Sequence, residues 1–387
     1  MLITYKTEID PNPEQINKIK QTVGTCRFIY NFYISENQKA YENNKSFITA
    51  FSFSKWLNNE FIPNNQDYLW IKDVSSKSVK QSIIYAEKAF KKFFKKESKF
   101  PKFKKKNKSN IKMYFVKNNS HDCTCERHRI KIPTLGWVKL KEKGYIPTNK
   151  DGYTVKSGTI SYKAGRYYIS CIVDIEKTPK QNLNSLGLGV DLGLEKFAVV
   201  SNGDVYKNIN KTSKIKQLEK KLRREQRCLS RKYKQLKNNK KGESTYKNIN
   251  KQKLKVQKIH LKLTNIRTDY INKIVSDLMK TKPSHITIED LNISGMIKNK
   301  YLSKSISNQK FYEFRQKLNF KCKIYGIELR IANRFYPSSK ICHKCGNIKK
   351  DLKLSDRTYK CSICGEIIDR DLNASLNLRD TTSYVLA

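Results

Sequence analysis

The sequence predicts a multidomain α/β protein, and three observations lead there. In the carboxyl-terminal half, short apolar strands alternate with amphipathic helices, as in an α/β unit. The first hundred residues carry apolar side chains at helical spacing among lysines. Between these regions, residues 111–176 alternate in short β-branched segments broken by Gly and Asn turns, the texture of an antiparallel β unit and small barrel.

Residues 2–6 alternate as a strand. Asn12-Pro13-Glu14-Gln15 then reads as a helix start, with Asn12 as N-cap, Pro13 at N1 and Gln15 at N3. Ile16, Ile19 and Val23 follow at helical spacing, and a second, aromatic helix is expected around Phe28–Tyr33. A further helix over 76–97 lines up Val79, Ile83, Ala86, Phe90 and Phe93-Phe94. Residues 99–108 break that helix at Pro101 and are nearly all cationic: a linker that touches phosphate, or a solvated basic loop. Segments 130–133, 137–140, 159–162 and 167–175 supply the β unit. A new domain begins after Pro179-Lys180-Gln181-Asn182. It opens on strands Leu186–Asp191 and Phe197–Ser201. A cationic helix at 213–237, a polar loop at 238–248 and a partner helix from Val256 to Ile274 form a hairpin. Strand His285–Ile288, a loop, a helix with Phe311, Phe314, Leu318 and Cys322, strand Ile327–Ala332, a cysteine cluster and a last helix complete the chain.

Charge constrains the partner. The 387 residues hold 80 Lys+Arg against 34 Asp+Glu, a formal net charge of +46. Such a chain repels itself, and a polyanion relieves the repulsion while releasing counterions. Nucleic acid is the expected partner, an anionic membrane surface the alternative. No apolar signal region opens the chain and no run approaches a membrane span, so a reducing cytoplasm is expected.

Cys342, Cys345, Cys361 and Cys364 form C-x2-C-x15-C-x2-C, the spacing of a structural zinc ribbon. Four thiolates close the coordination sphere, so this zinc is structural. His121, Cys123, Cys125 and His128 form a weaker set with an uncommon C-x-C spacing, better read as an ordinary loop.

Phosphodiester hydrolysis by two metals needs several carboxylates around ions ~4 Å apart. Magnesium prefers such hard oxygen donors. Asp191 ends an apolar strand beside the Gly193 turn, and Glu289 ends Ile286-Thr287-Ile288 in the same way. Asp371 lies where the last helix begins. An acid at the end of an apolar strand is costly unless something pairs with it. Singly, Asp191 could start a turn and Asp371 could be an N-cap. Asp290 and Asp369 are neighbours that could be mistaken for the ligands.

On these residues the sequence resembles the TnpB (OrfB) family of insertion-sequence proteins, relatives of the type V CRISPR effectors. Gly189-Val190-Asp191-Leu192-Gly193, Ile288-Glu289-Asp290-Leu291-Asn292 and Asp369-Arg370-Asp371-Leu372-Asn373-Ala374 resemble its three RuvC motifs. Cys26–Asn31, Ala89–Phe94 with Phe100–Lys104, and Leu135–Val138 resemble its amino-terminal signatures. Asn272 stands where many members have histidine. The resemblance implies a RuvC-like, RNase H-type nuclease domain over 181–387 with a zinc ribbon at 338–367 inserted. It implies a wedge-type β-barrel from 1–10 plus 109–180, and a helical recognition domain over 11–108. It implies an RNA-guided, transposon-associated DNA endonuclease, monomeric with its RNA. Asp191, Glu289 and Asp371 would hold two Mg²⁺ ions, and one structural zinc would sit on the cysteines. The partners would be a guide RNA and a double-stranded target DNA carrying a short adjacent motif. The alternatives are a guide-independent transposase, an RNA-guided binder or repressor without cleavage, and a basic RNA-binding protein with no chemistry.

Overall fold

The computed structural model describes the chain except residues 1, 45, 107–111, 120–121, 149–151, 176–181, 240–242 and 354. It divides into two compact units, 1–177 and 178–387.

In the first unit, strand β1 (Leu2–Asp10) runs into helix α1 (Pro13–Asn44). The turn between them is the expected capping box. The Gln15 amide donates to Asn12 Oδ1 at 2.8 Å, and the Asn12 amide donates to Gln15 Oε1 at 3.0 Å. Two helices were expected here, and there is one. Thr22 and Thr25 are weak helix formers beside Gly24, yet both are buried, and their hydroxyls bond back to Lys18 and Gln21 carbonyls. Packing overrides propensity because α1 serves two cores: Ile19 joins the sheet's cluster, Ile29, Tyr33 and Ile34 the helical one. Helices α2 (Ala50–Trp56), α3 (Ile62–Asn64) and α4 (Ser76–Phe94) complete the helical cluster.

Strands β2 (Lys112–Val116), β3 (Arg129–Ile132), β4 (Gly136–Leu140), β5 (Thr154–Lys163) and β6 (Arg166–Asp174) join β1 in an antiparallel sheet ordered β2-β5-β6-β1-β4-β3. Alternate residues face one core, with Met113 and Phe115 from one end strand and Ile130 and Ile132 from the other. The expected barrel closure is absent among the described residues, because β2 and β3 are not paired. Cys123 and Cys125 sit inside this core at 1% and 2% exposure. Burial pushes their thiols up to about 12 and about 11, so these two cysteines are apolar packing; His128 is exposed and His121 lies outside the described residues.

The second unit is built on a mixed sheet. It contains β7 (Leu188–Leu192), β8 (Lys196–Val200), β9 (Val205–Lys207), β10 (His285–Glu289), β11 (Glu328–Ala332) and β14 (Tyr384–Leu386), ordered β14-β11-β10-β7-β8-β9. β10 runs parallel to both β7 and β11, while β8, β9 and β14 pair antiparallel. Helices α5 (Ser213–Asn239) and α6 (Glu243–Lys280) form the hairpin, closed by Ile215, Leu218 and Leu222 against Ile259, Leu263 and Ile266. The expected loop at 238–248 is much shorter, since both helices extend into it. The expected loop after β10 contains α7 (Ile293–Ile297) and α8 (Ser303–Gln309). Helix α9 (Phe311–Tyr325) buries Phe311, Phe314, Leu318 and Cys322 against the sheet. The cysteine segment carries a small hairpin, β12 (Thr358–Lys360) and β13 (Ile367–Asp369), before α10 (Arg370–Asp380).

Candidate active site

The first acid is placed by β7. Asp191 follows the buried run Leu188-Gly189-Val190. Parallel pairing sets Ile288 opposite Val190, so the next residue, Glu289, lies beside Asp191. The third acid arrives on α10, and Gly189 explains how. A Cβ at Gly189 would lie 1.8 Å from the Ser375 carbonyl oxygen and 2.4 Å from the Arg379 nitrogen. Only glycine lets α10 rest on β7 this closely. Gly189→Ala should therefore lift the helix and cost about 3 kcal/mol, the upper end of usual overpacking. The melting temperature of the variant reads this directly; an unchanged value would contradict the packing.

Asp191, Glu289 and Asp371 line one cavity of about 910 Å³. Burial pushes the Asp191 carboxyl well above the usual carboxylate range, and the charges of Glu289 and Asp371 push the same way against Arg370 and Lys196. Burial also raises Glu289, opposed by the Ser338 hydroxyl, which donates to Glu289 Oε1 at 2.6 Å. Lys196 Nζ lies 3.4 Å from Asp371 Oδ2, and Arg370 Nη2 lies 3.7 Å from Asp371 Oδ1. Glu289 and Asp371 thus have different partners. Among the described residues only the four cysteines gather their ligand atoms within 4.8 Å, so the acids share a cavity without that tight convergence.

The two look-alike acids have other partners. Asp290 is ion-paired with Arg315 and Arg334. Asp369 is the N-cap of α10: its Oδ1 accepts from the amides of Asp371 at 3.0 Å and Leu372 at 3.1 Å, while Lys196 donates to its Oδ2 at 2.9 Å. The cap that the sequence allowed for Asp371 is thus Asp369, which leaves the Asp371 carboxylate in the cavity. Asn272 lies exposed on α6. Lys196, Ser338 and Arg370 were not singled out from sequence. Lys196 had one readable signal, as the first residue of the strand that returns along β7.

The cysteine sulfurs lie 3.6 Å apart in the pairs Cys342–Cys364 and Cys345–Cys361. That is far longer than a disulfide. It is close to the edge of about 3.8 Å expected for a tetrahedron with ~2.3 Å zinc–sulfur bonds. Backbone amides of Cys364 and Ile363 point at the Cys361 sulfur and favour its thiolate, the form a metal takes. The donor set fits zinc. The knuckle is bolted to α10 by buried asparagines. Asn373 Nδ2 and Asn377 Nδ2 each donate to the Ile341 carbonyl at 2.7 Å. Asn377 Nδ2 also reaches the Ser338 carbonyl at 2.7 Å, and the His343 amide donates to Asn373 Oδ1 at 3.0 Å.

The fold and cavity define a class: a two-unit α/β protein with three half-buried carboxylates lining one cavity and a four-cysteine knuckle. A chain from the "Cryo-EM structure of the Cas12f1-sgRNA-target DNA complex" has the same fold, with TM-score 0.61 at 14% identity, covering 100% of this chain and 99% of that one. Three family models match: "Helix-turn-helix domain" at 1–46, "Probable transposase" at 170–300, and "Cas12f1-like, TNB domain" at 311–378. The chain is 30% identical to the "Putative RNA-guided DNA endonuclease InsQ" of Escherichia coli K12, across 100% of this chain and 94% of that protein. It is 27% identical to a "Putative RNA-guided DNA endonuclease" of Streptomyces pristinaespiralis, across 97% and 88%. The chain belongs to the OrfB family of IS605-type insertion sequences, the TnpB family that its motifs resemble.

Proposed function

We propose that this protein is an RNA-guided DNA endonuclease that hydrolyses phosphodiester bonds in the cavity formed by Asp191, Glu289 and Asp371. The observation that carries this reading is the meeting of three acids from three distant segments in one cavity, with Asp191 and Glu289 buried at a cost that a cation would offset. Three carboxylates suit magnesium, and two ions bound there would supply Lewis acidity and an activated water. The chain's own groups do the rest. Asp191, Glu289 and Asp371 act as carboxylate ligands. Ser338 orients Glu289, and Lys196 and Arg370 steady Asp371. Lys216, Lys304 and Arg357 line the cavity wall and would hold the strand's phosphates in place. Asp191 and Glu289 remain ligands and do not take the attacking water's proton.

The strand order β9-β8-β7-β10-β11 supports reading the second unit as RNase H-type, RuvC-like and carrying the ribbon. In the first unit, the sheet would be the wedge and helices α1–α4 the recognition part. The names of the relatives, and the complex in which the similar fold occurs, support guide RNA and target DNA as partners. Among the described residues no helix is long and apolar enough to cross a membrane.

Purified protein should carry RNA, and sequencing that RNA defines a target. With Mg²⁺ the complex should cut DNA matching the RNA; EDTA or removal of the RNA should stop it. Full activity after complete RNA removal would instead support the guide-independent transposase.

A further inference from the structure

Positive charge is dense on the exposed side of helix α5. α5 holds two acids, and both are turned away from its outer face. Glu225 accepts from Gln252 of α6 at 2.7 Å, and Glu219 is bound by Arg267 at 2.8 Å and Lys304 at 3.2 Å. The face opposite the apolar Ile215, Leu218 and Leu222 carries Lys216, Lys220, Arg223, Arg227, Arg231 and Lys234, all exposed. At 3.6 residues per turn these six fall within an arc of about 80° and extend about 27 Å along the axis. None of them forms an ion pair with a described residue. The stripe has a defined origin, because Lys216 is itself part of the wall of the carboxylate cavity. Beyond it, Lys220 to Lys234 line a shallow groove of about 1100 Å³.

We propose that this stripe is the track for the DNA strand being cut, one phosphate row running from the acids outward along α5. This rests on the endonuclease reading and adds the path of the substrate to it. A single strand is the occupant because the row leads into the carboxylate cavity, whose wall includes Lys216. The cavity at its end is also the size of a site for one small ligand, too small for two paired strands. Arginines predominate in the middle of the row, where planar guanidinium groups clasp phosphate oxygens in pairs.

Two measurements test it, both on the full chain with its RNA. In the first, a photo-crosslinking residue replaces Arg227 or Arg231 in an Asp191→Ala background, so that the DNA stays whole. Crosslinks should form with a DNA strand close to the cut position. Crosslinks confined to the guide RNA, or to paired DNA far from the cut, would overturn the proposal. In the second, Lys220, Arg223, Arg227 and Arg231 are all changed to Gln, and binding of a fluorescent single-stranded oligodeoxynucleotide is followed against salt. Each lost phosphate contact lowers the slope of log K on log salt by about 0.7. Between 50 and 200 mM salt the parent complex should therefore lose roughly 50-fold more affinity than the variant. Equal slopes would overturn the track. The melting temperature of the variant, set by the untouched Leu218–Leu222 face, reports whether it folds. Neither readout needs cleavage, so strand binding at α5 stands or falls separately from the chemistry at the acids.

Discussion

Alanine at Asp191 should lower cleavage of guide-matched DNA by on the order of 10³-fold or more, while RNA binding is retained. Losing a ligand of the ions that would stabilise the reacting phosphate forfeits about 4 kcal/mol of transition-state stabilisation, and each 1.36 kcal/mol is tenfold. Asparagine at the same position should be equally inactive, yet more heat-stable when divalent ions are chelated. Burial and the neighbouring acids hold the folded-state carboxyl well above its ordinary value. The folded protein therefore keeps this proton to higher pH than the unfolded chain, and stability falls as pH rises and the group is forced to ionise. A neutral amide carries no such cost. In EDTA at neutral pH, Asp191→Asn should melt higher by about 2–4 °C for each kcal/mol relieved. The advantage should shrink as pH falls toward about 4, where the parent carboxyl is protonated in both states. Magnesium should narrow the gap by stabilising the parent alone. A melting temperature that falls on substitution would contradict the account of the cavity.

Cys361→Ser is the second large expected effect. Structural zinc supplies about 10–16 kcal/mol of binding free energy that is also folding free energy, so losing one thiolate should release the metal and unfold the ribbon. The damage should reach the cavity. The knuckle is joined to α10 through Asn373 and Asn377, and Ser338, which bonds Glu289, is held by Asn377. Cleavage should fall about 10–100-fold or more, as when groups that orient ligands are lost. Zinc content by elemental analysis and limited proteolysis between 338 and 367 separate this from a direct effect on the acids. A variant that sheds zinc, resists protease there and cuts normally would refute the linkage.

Asp191 and Glu289 were legible because an apolar run long enough to fill a buried strand ends abruptly in a carboxylate. The four cysteines were legible because their spacing alone specifies a ligand set. Asp371 was separated from Asp369 only by the motif it resembles, since both lie at a helix start; the hydrogen bonds to the Asp371 and Leu372 amides show that Asp369 is the cap. Ser338 and Arg370 were hidden and Lys196 nearly so, because strand register, the close seat of α10 on Gly189 and the Asn377 bond to Ser338 bring them to the acids. The same limit governs the elements. α1 reads as two helices because Thr22-Val23-Gly24-Thr25 disfavours helix locally, and two cores at its ends override that preference. β9, β14, α7 and α8 are too short for periodicity and exist through the contacts they make.

Crystals of the protein soaked in Mn²⁺ and measured at the manganese absorption edge test the central claim most directly. Anomalous peaks should stand within about 2.2 Å of carboxylate oxygens of Asp191, Glu289 and Asp371. A cavity without a peak, in a protein that still cuts DNA in Mn²⁺, would place the chemistry elsewhere.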